Sequence, residues 1–170
     1  MVFQAVDSAA ASPVAVAWVA AAAPRPDGKR RVLSVSRPSH HPLAHHVDEQ
    51  RVSKAIDSAE TGTTGIIEVA IVPHFFGDVH SAAQHAFKCM KVGHAAHRNG
   101  ILFFIVPSRR RFAVIGGKAI HERAGQQFWH RIVREMREAL RSGDLTSGLE
   151  QGIREAGQEL ALHFPRTDAG

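Results

Sequence analysis

The stretch Arg98-Asn99-Gly100-Ile101-Leu102-Phe103-Phe104-Ile105-Val106-Pro107 decides the fold. It holds an Asn-Gly turn signal, a run of six apolar residues, and a proline that ends the run. A short run of branched and aromatic side chains between two such breakers is typical of a strand that is buried on both faces. We therefore place the centre of a β-sheet at this stretch.

Two further apolar runs flank this central strand in the sequence. Residues 111–117 follow it after a gap that is too short for a helical crossover, so the two runs must pair as an antiparallel hairpin. Residues 66–73 form an earlier run, and a helix-like segment separates it from the central strand. A strand, a helix and a strand in this order predict two parallel strands with a right-handed crossover.

Apolar residues at helical spacing predict four helices, at residues 48–62, 78–93, 128–142 and 147–164. Asp48 is suited to the N-cap of the first helix. Gly143 is suited to the left-handed position after the third helix, and Ser147 with Glu150 forms a capping box for the fourth. These helices are expected to cover the faces of the sheet.

The 170 residues are enough for one domain with a sizeable core. We predict a disordered or loosely ordered Ala/Pro/His-rich extension at 1–47, an α/β domain at 48–166 and a short tail at 167–170. The alanine-rich run near the start has no basic residue before it, so we expect no signal peptide. It is also shorter than the roughly 20 residues that span a bilayer. We expect a protein with no transmembrane segment, cytoplasmic or peripheral to a membrane.

The formal net charge is +5 with all histidines counted as neutral, which favours acidic partners. The run of three arginines, Arg109-Arg110-Arg111, lacks the interleaved aromatic residues of a single-strand nucleic-acid binder, so nucleic acid is not the expected partner. Cys89 is the single cysteine, which excludes a disulfide within the chain.

Four histidines lie within residues 40–46, together with a proline. Imidazoles at this density can bind zinc, copper or nickel. The spacing matches no specific zinc motif, and no cysteine completes it. Two interpretations stay open, a solvated polar linker and a metal-handling segment, and we assign no metal-ligating residue.

No common catalytic motif is present: the sequence has no Gly-x-Ser-x-Gly, no Walker loop, no dinucleotide fingerprint and no His-Glu-x-x-His. Open α/β sheets bind ligands beyond the carboxyl ends of parallel strands, where Arg109, Arg110 and Arg111 follow the central strand. Lys118 follows a glycine pair and can meet an anion there. These four cations are the candidate anion-binding residues, and a solvated turn is the alternative explanation for the arginines.

Glu60, Asn99 and His121 are expected at the opposite edge of the sheet, where the strands start and the first helix ends. The histidine titrates near neutrality and can act as an acid or a base. Asn99 also has an explanation as a turn residue, because Asn-Gly tolerates left-handed geometry before a strand. These three residues are the candidate catalytic set.

A set of short motifs is spread over residues 48–166: Ala55-Ile56, Ala59-Glu60, Gly65, Arg98–Leu102, Ile115–Gly117, Trp129, Gly143–Leu149, Gly152-Ile153 and His163–Pro165. Together they resemble the TPM domain family, in detail its short, single-domain bacterial branch. The resemblance implies an α/β fold, which agrees with the order of elements. We predict a three-layer α/β/α sandwich with a small mixed central sheet of about four strands, including one β-hairpin, flanked by about four helices.

The resemblance implies phosphatase activity or calcium binding for some members, and an accessory role in envelope complexes for others. Glu60 and Asn99 match family positions, but other acidic positions differ. Where many members have Gly-Glu before the first strand, this chain has Gly65-Ile66, and where many have Asp-Asp at the hairpin it has Ser108-Arg109-Arg110-Arg111. Calcium needs several hard oxygen ligands, which arginines oppose, so we expect no calcium and assign no cofactor.

Our leading hypothesis is an accessory module, non-catalytic or weakly catalytic, that binds a protein partner, with envelope or membrane-associated partners implied by the resemblance. The alternative is a phosphatase-type hydrolase of phosphate monoesters that uses Glu60, Asn99 and His121 while the cations recruit phosphate. A second alternative is a His-rich metal-handling protein. Whether the protein is an enzyme stays open on the sequence alone.

Overall fold

The computed structural model describes residues 33–34, 47–89 and 99–166, with the main chain alone at 33, 34 and 89. The predicted tail and nearly all of the predicted extension lie outside these residues, so the domain bounds stay a prediction. The described elements are β1 (Leu33–Ser34), α1 (Glu49–Glu60), β2 (Ile66–Ile71), α2 (Val79–Cys89), β3 (Gly100–Val106), β4 (Arg111–Gly116), α3 (Lys118–Ser142) and α4 (Leu145–His163). One turn of 3-10 helix, Pro107–Arg109, joins β3 to β4.

The sheet has the strand order β1-β2-β3-β4 and is mixed, as predicted. β2 and β3 pair in parallel, with Ile66 opposite Gly100. β3 and β4 form the predicted antiparallel hairpin, with Val106 opposite Arg111 next to the turn. β3 therefore has a hydrogen-bonded neighbour along each of its edges.

Every one of the seven residues of β3 is buried, because both faces of the sheet are covered. Ile101, Phe103 and Ile105 pack in a core with α1, α3 and α4. The alternate residues of β3 pack in a second core with α2. The three-layer α/β/α sandwich is thus confirmed, with three helices on one face and one on the other. No helix in the described part of the chain is both long enough and apolar enough to cross a membrane.

Asp48 caps α1, as predicted. Its Oδ1 accepts hydrogen bonds from the backbone N–H groups of Gln50 at 3.0 Å and Arg51 at 3.1 Å. Its own backbone N–H donates to the hydroxyl of Thr146 at 3.1 Å. The start of α1 is therefore tied to the start of α4, far away in the sequence.

α3 begins earlier than predicted, at Lys118 rather than near Phe128. A kink separates the two parts at Gly125, where φ is 69° and ψ is 169°. Glycine adopts this conformation readily because it has no Cβ. The sequence pattern did not reveal the first part because it is short and contributes one large buried apolar side chain, that of Ile120.

The N-terminus of α4 differs from the prediction. The helix begins at Leu145, and Asp144 is its N-cap, since the Asp144 carboxylate accepts from the Ser147 backbone N–H at 3.1 Å. The capping box predicted at Ser147 is therefore wrong. Gly143 has φ 83°, which confirms the predicted left-handed position. This turn places Asp144 in the capping position, so α4 begins two residues earlier than the helical pattern in the sequence indicated.

α1 and α4 approach each other closely at Gly157. A Cβ atom built on Gly157 would lie 2.6 Å from Cβ and 2.9 Å from Cα of Ala59. Contacts this short cannot exist, so a larger residue here would push the two helices apart. The small residue at this position is required by the packing of the helices.

We expect Gly157→Ala to destabilise the protein by about 1–3 kcal/mol through overpacking, although alanine is the better helix former. Urea unfolding followed by circular dichroism measures the change. Gly62→Ala is the matched control, because the atom nearest to a Cβ there is 3.9 Å away, an ordinary contact. Stability equal to or above that of the wild type in Gly157→Ala would contradict this packing.

Candidate functional site

The first candidate region is the sheet edge where β2 and β3 begin and β4 ends. Gly117, directly after β4, donates its backbone N–H to the Gly100 carbonyl at 2.8 Å. Gly117 is also the N-cap of α3. The start of the central strand and the start of α3 are therefore adjacent. The three residues predicted as a catalytic set are placed along this edge.

Glu60 is the last residue of α1 and is partly buried. Its Oε1 accepts a hydrogen bond from the Ile67 backbone N–H at 2.7 Å. A carboxylate that accepts from a backbone N–H makes a strong, charge-assisted hydrogen bond. Glu60 therefore fixes the end of α1 against the first residues of β2.

Asn99 is the residue immediately before β3, and it is 7% exposed. Its amide Nδ2 donates to the Thr64 hydroxyl at 3.4 Å, a long contact. The neighbouring Thr63 donates its hydroxyl to the Phe164 carbonyl at 2.6 Å. The loop between α1 and β2 thus connects the start of β3 to the end of α4.

His121 and Lys118 lie in the first turn of α3. The His121 ring lies against Trp129, with ring centroids 5.9 Å apart, and is partly buried. The Lys118 ammonium is 3.8 Å from the Glu122 carboxylate, and both side chains are largely exposed. Lys118 is therefore in solvent at the N-terminus of α3, whereas His121 is held on an aromatic surface.

The opposite end of β3 carries the predicted arginine cluster. The Arg109 guanidinium donates from Nη1 to the carbonyls of Phe75 at 3.1 Å and Gly77 at 2.8 Å. These two carbonyls belong to the loop between β2 and α2. Arg109 therefore joins this loop to the hairpin turn and is not a free anion-binding group.

Arg110 and Arg111 differ from Arg109 in their surroundings. Arg110 is exposed and has a φ of 49°, the left-handed region that few residues other than glycine adopt. Arg111 is the first residue of β4 and is partly exposed. Two of the four predicted anion-binding residues thus present their charges at the hairpin turn, and Lys118 lies at the other edge.

Sequence reasoning missed Phe76, which lies between the two residues whose carbonyls Arg109 binds. Its exposed fraction is 86%, one of two large hydrophobic side chains exposed in the described part of the chain. Phe75 instead packs edge-on against Phe104, with ring centroids 6.5 Å apart. The signal in the sequence was the pair of adjacent aromatic residues in a short loop, since only one of the two side chains packs inward. We call residues 74–77 and 109–111 the basic tip.

A pair of carboxyl groups at the contact of α3 and α4 was also missed. Glu135 and Glu155 are hydrogen-bonded to each other, and Arg131 donates to Glu155 at 2.8 Å. Burial, with the adjacent Glu155, raises the pKa of Glu135 to about 7. Burial opposes ionisation of Glu155 too, but hydrogen bonds from Glu135 and Arg131 outweigh it and lower its pKa. The pKa values of the two carboxyl groups are therefore shifted in opposite directions. Such pairs of residues from distant helices leave no sequence motif.

No group of three or more histidine, cysteine, aspartate or glutamate side chains placed to hold a metal ion occurs among the described residues. The histidines at 40–46 lie outside those residues, so the metal-handling hypothesis is not tested.

The sheet and its helical layers define the class of protein, a small α/β sandwich with a mixed sheet and a hairpin at one edge. A model of the TPM domain matches residues 45–159, and the chain belongs to that family. The predicted resemblance is therefore confirmed.

The solved structures that are similar to the chain include the following two. The first is an NMR structure of the BA42 protein from the psychrophilic bacterium Bizionia argentinensis, with 27% sequence identity and a TM-score of 0.66 over 77% of this chain and 90% of that one. The second is the N-terminal domain of the cg2496 protein from Corynebacterium glutamicum, with 17% identity and a TM-score of 0.55 over 78% and 88%, which shows the fold alone. None of the curated proteins compared with the chain matches it.

We expect Arg109→Ala to destabilise the protein by about 1–3 kcal/mol, because two carbonyls lose a charged hydrogen-bond donor. Arg110→Asn removes a charge nearby and keeps a residue that tolerates left-handed backbone, so its effect should stay within about 0.5 kcal/mol. Urea unfolding compares the two variants. Equal, small effects would show that Arg109 does not hold the loop.

The Glu135 carboxyl predicts a pH dependence of stability. Its folded pKa of about 7 lies above the ordinary value of 4.5, so the folded state binds the extra proton between these values. Stability from this group is fully present below 4.5 and is lost as the pH rises towards 7. Glu135→Gln, which cannot ionise, should flatten this decline and raise the melting temperature above pH 7.

Melting temperatures measured by calorimetry across this pH range test the assignment. Glu138→Gln, which removes an exposed carboxylate from the same helix, is the control and should keep the decline of the wild type. A decline of unchanged slope in Glu135→Gln would show that another group causes it.

Proposed function

We propose that the protein is an accessory module that binds an acidic protein partner through its basic tip. The observation that carries this proposal is the Arg109 hydrogen bonding to the carbonyls of Phe75 and Gly77. It fixes the loop against the hairpin turn, so that the tip needs little ordering when it binds. The family resemblance points to envelope or membrane-associated partners.

The charges of the tip support an acidic partner. Asp78 is the single carboxylate within residues 72–78 and 107–112. Its side chain caps α2 by accepting from the Ser81 backbone N–H at 2.7 Å, and hydrogen bonds from Ser81 lower its pKa. Arg110 and Arg111 are therefore free of a neutralising carboxylate in these two segments. Guanidinium groups match carboxylates in a two-pronged geometry, which favours acidic side chains on the partner.

The other edge supports a structural role for the residues predicted as catalytic. A general base has to reach the proton that it abstracts. Glu60 is partly buried and uses one oxygen on the Ile67 backbone N–H, and Asn99 is 7% exposed. His121 lies against Trp129. Each residue thus contributes to the contact of α1, β3 or α3 with its neighbours.

A capture experiment with the full chain tests the proposal. The charge-removal variant Arg110→Asn/Arg111→Gln keeps Arg109 and therefore the loop. We expect the wild type to recover a reproducible protein partner, and the charge-removal variant to bind it about tenfold more weakly. Lys54→Gln/Arg137→Gln removes two exposed charges from α1 and α3 and should bind like the wild type. A partner that binds the charge-removal variant equally well would remove the basic tip from the proposal.

The hydrolase alternative makes a different prediction. A phosphatase would release phosphate from a generic aryl phosphate ester, and Glu60→Gln would abolish the release. Glutamine keeps an oxygen for the Ile67 backbone N–H, so the variant is expected to fold. Under our proposal, the wild type and Glu60→Gln give the same background rate. Activity in the wild type that Glu60→Gln and Asn99→Ala both abolish would contradict a non-catalytic module.

A further inference from the structure

We infer that the basic tip also attaches the protein to anionic lipid bilayers, with Phe76 in the boundary between headgroups and acyl chains and with Arg110 and Arg111 on the lipid phosphates. This inference rests on the basic tip of the proposed function but adds a ligand of its own. It starts from the exposure of Phe76, which is 86%. A phenyl ring this exposed loses favourable burial unless something covers it.

The loop presents Phe76 in a fixed position. The carbonyls before and after it both accept from Arg109, so the main chain is held on both sides of Phe76. The Phe75 ring packs inward on Phe104. A Cβ atom built on Gly77 would lie 2.7 Å from Cζ of this ring, so the loop has little room to rearrange. Phe76 therefore needs no conformational change of the loop to enter a lipid bilayer.

The charges around Phe76 match an anionic surface. Arg110 is adjacent to the anchoring Arg109 and is exposed, and Arg111 is partly exposed. Long cationic side chains keep their charge at the level of the phosphates while an aromatic ring lies deeper. The net charge of +5 adds a long-range attraction towards anionic lipid.

The shape of the tip favours a bilayer over a pocket on a protein. Phe76 lies on a loop beside a hairpin turn, so it protrudes. A protein partner would have to offer a cavity of matching shape for the ring, with acidic groups placed around it. A bilayer accepts an apolar side chain at any position and has phosphates around it.

Vesicle sedimentation with the full chain tests the inference, with vesicles of phosphatidylcholine alone and of phosphatidylcholine mixed with the anionic lipid phosphatidylglycerol. We expect binding to the mixed vesicles and little binding to the neutral ones. Phe76→Ala should weaken binding about tenfold. Arg110→Asn/Arg111→Gln should weaken it roughly 25-fold, at about fivefold for each charge.

Matched controls distinguish binding through the basic tip from non-specific adsorption to the vesicles. Leu162→Ala removes the other large exposed hydrophobic side chain, 72% exposed and on α4. Lys54→Gln/Arg137→Gln removes an equal number of charges outside the tip. Both should bind mixed vesicles as the wild type does. In a second measurement on mixed vesicles, Phe76→Trp should show a blue shift and quenching by a lipid-bound quencher beyond those of the wild type, whose Trp18 and Trp129 also emit.

Several outcomes would overturn the inference. They are a wild type that does not bind mixed vesicles, a Phe76→Ala variant that binds like the wild type, and a Phe76→Trp emission that does not move. Binding to polyglutamate but not to vesicles would assign the tip to an acidic protein surface instead. If the protein does not bind vesicles but captures a partner that depends on Arg110 and Arg111, the proposed function stands and the lipid inference fails. If it binds vesicles but captures no such partner, the lipid inference stands and the proposed function fails.

Discussion

The burial of β3 is the constraint on which the rest of the structure depends. A strand with apolar side chains on both faces is stable only if both faces are covered and both edges are hydrogen-bonded. β2 and β4 form hydrogen bonds along the two edges of β3, and the two cores cover its two faces. The two parallel strands require a crossover, and α2 provides it while it covers one face. The hairpin then returns the chain to the other side, where α3 and α4 complete the larger core with α1.

The two ends of this strand carry polar groups with different roles. At its start, Asn99 contacts the loop between α1 and β2, and Glu60 holds the first residues of β2. Polar groups that are buried in this way must find partners within the protein, which leaves them less available to a ligand. At its far end, Arg109 binds two carbonyls, whereas Arg110 is exposed and Arg111 is partly exposed. The chain thus uses the polar groups of one end for cohesion and exposes charge at the other.

Much of the fold could be predicted because its signals are local. The run of apolar residues in β3, the N-cap at Asp48 and the left-handed Gly143 each depend on a few neighbouring residues. Most errors arose where distant contacts decide. The first part of α3 is anchored by one buried side chain, that of Ile120, which packs in a core with residues far away in the sequence. The cap at Asp144 is a local feature, and it was missed because Ser147 and Glu150 also fit a capping-box pattern. The role of Arg109 depends on carbonyls more than 30 residues away, so no sequence pattern could separate it from Arg110. The same holds for the Glu135 and Glu155 pair.

The sign of the charge at the hairpin decides which ligands the tip can take. The turn is formed by the main chain of Pro107–Arg109 and by the pairing of β3 with β4. Acidic residues at such a turn would offer oxygen ligands to cations. Arginines at the same turn repel cations and attract phosphates and carboxylates. One scaffold can therefore present opposite charges, and in this chain Arg109 also fixes the neighbouring loop, which carries the exposed Phe76. A change from acidic residues to arginine thereby alters the charge of the tip and adds the contact that holds the loop carrying Phe76.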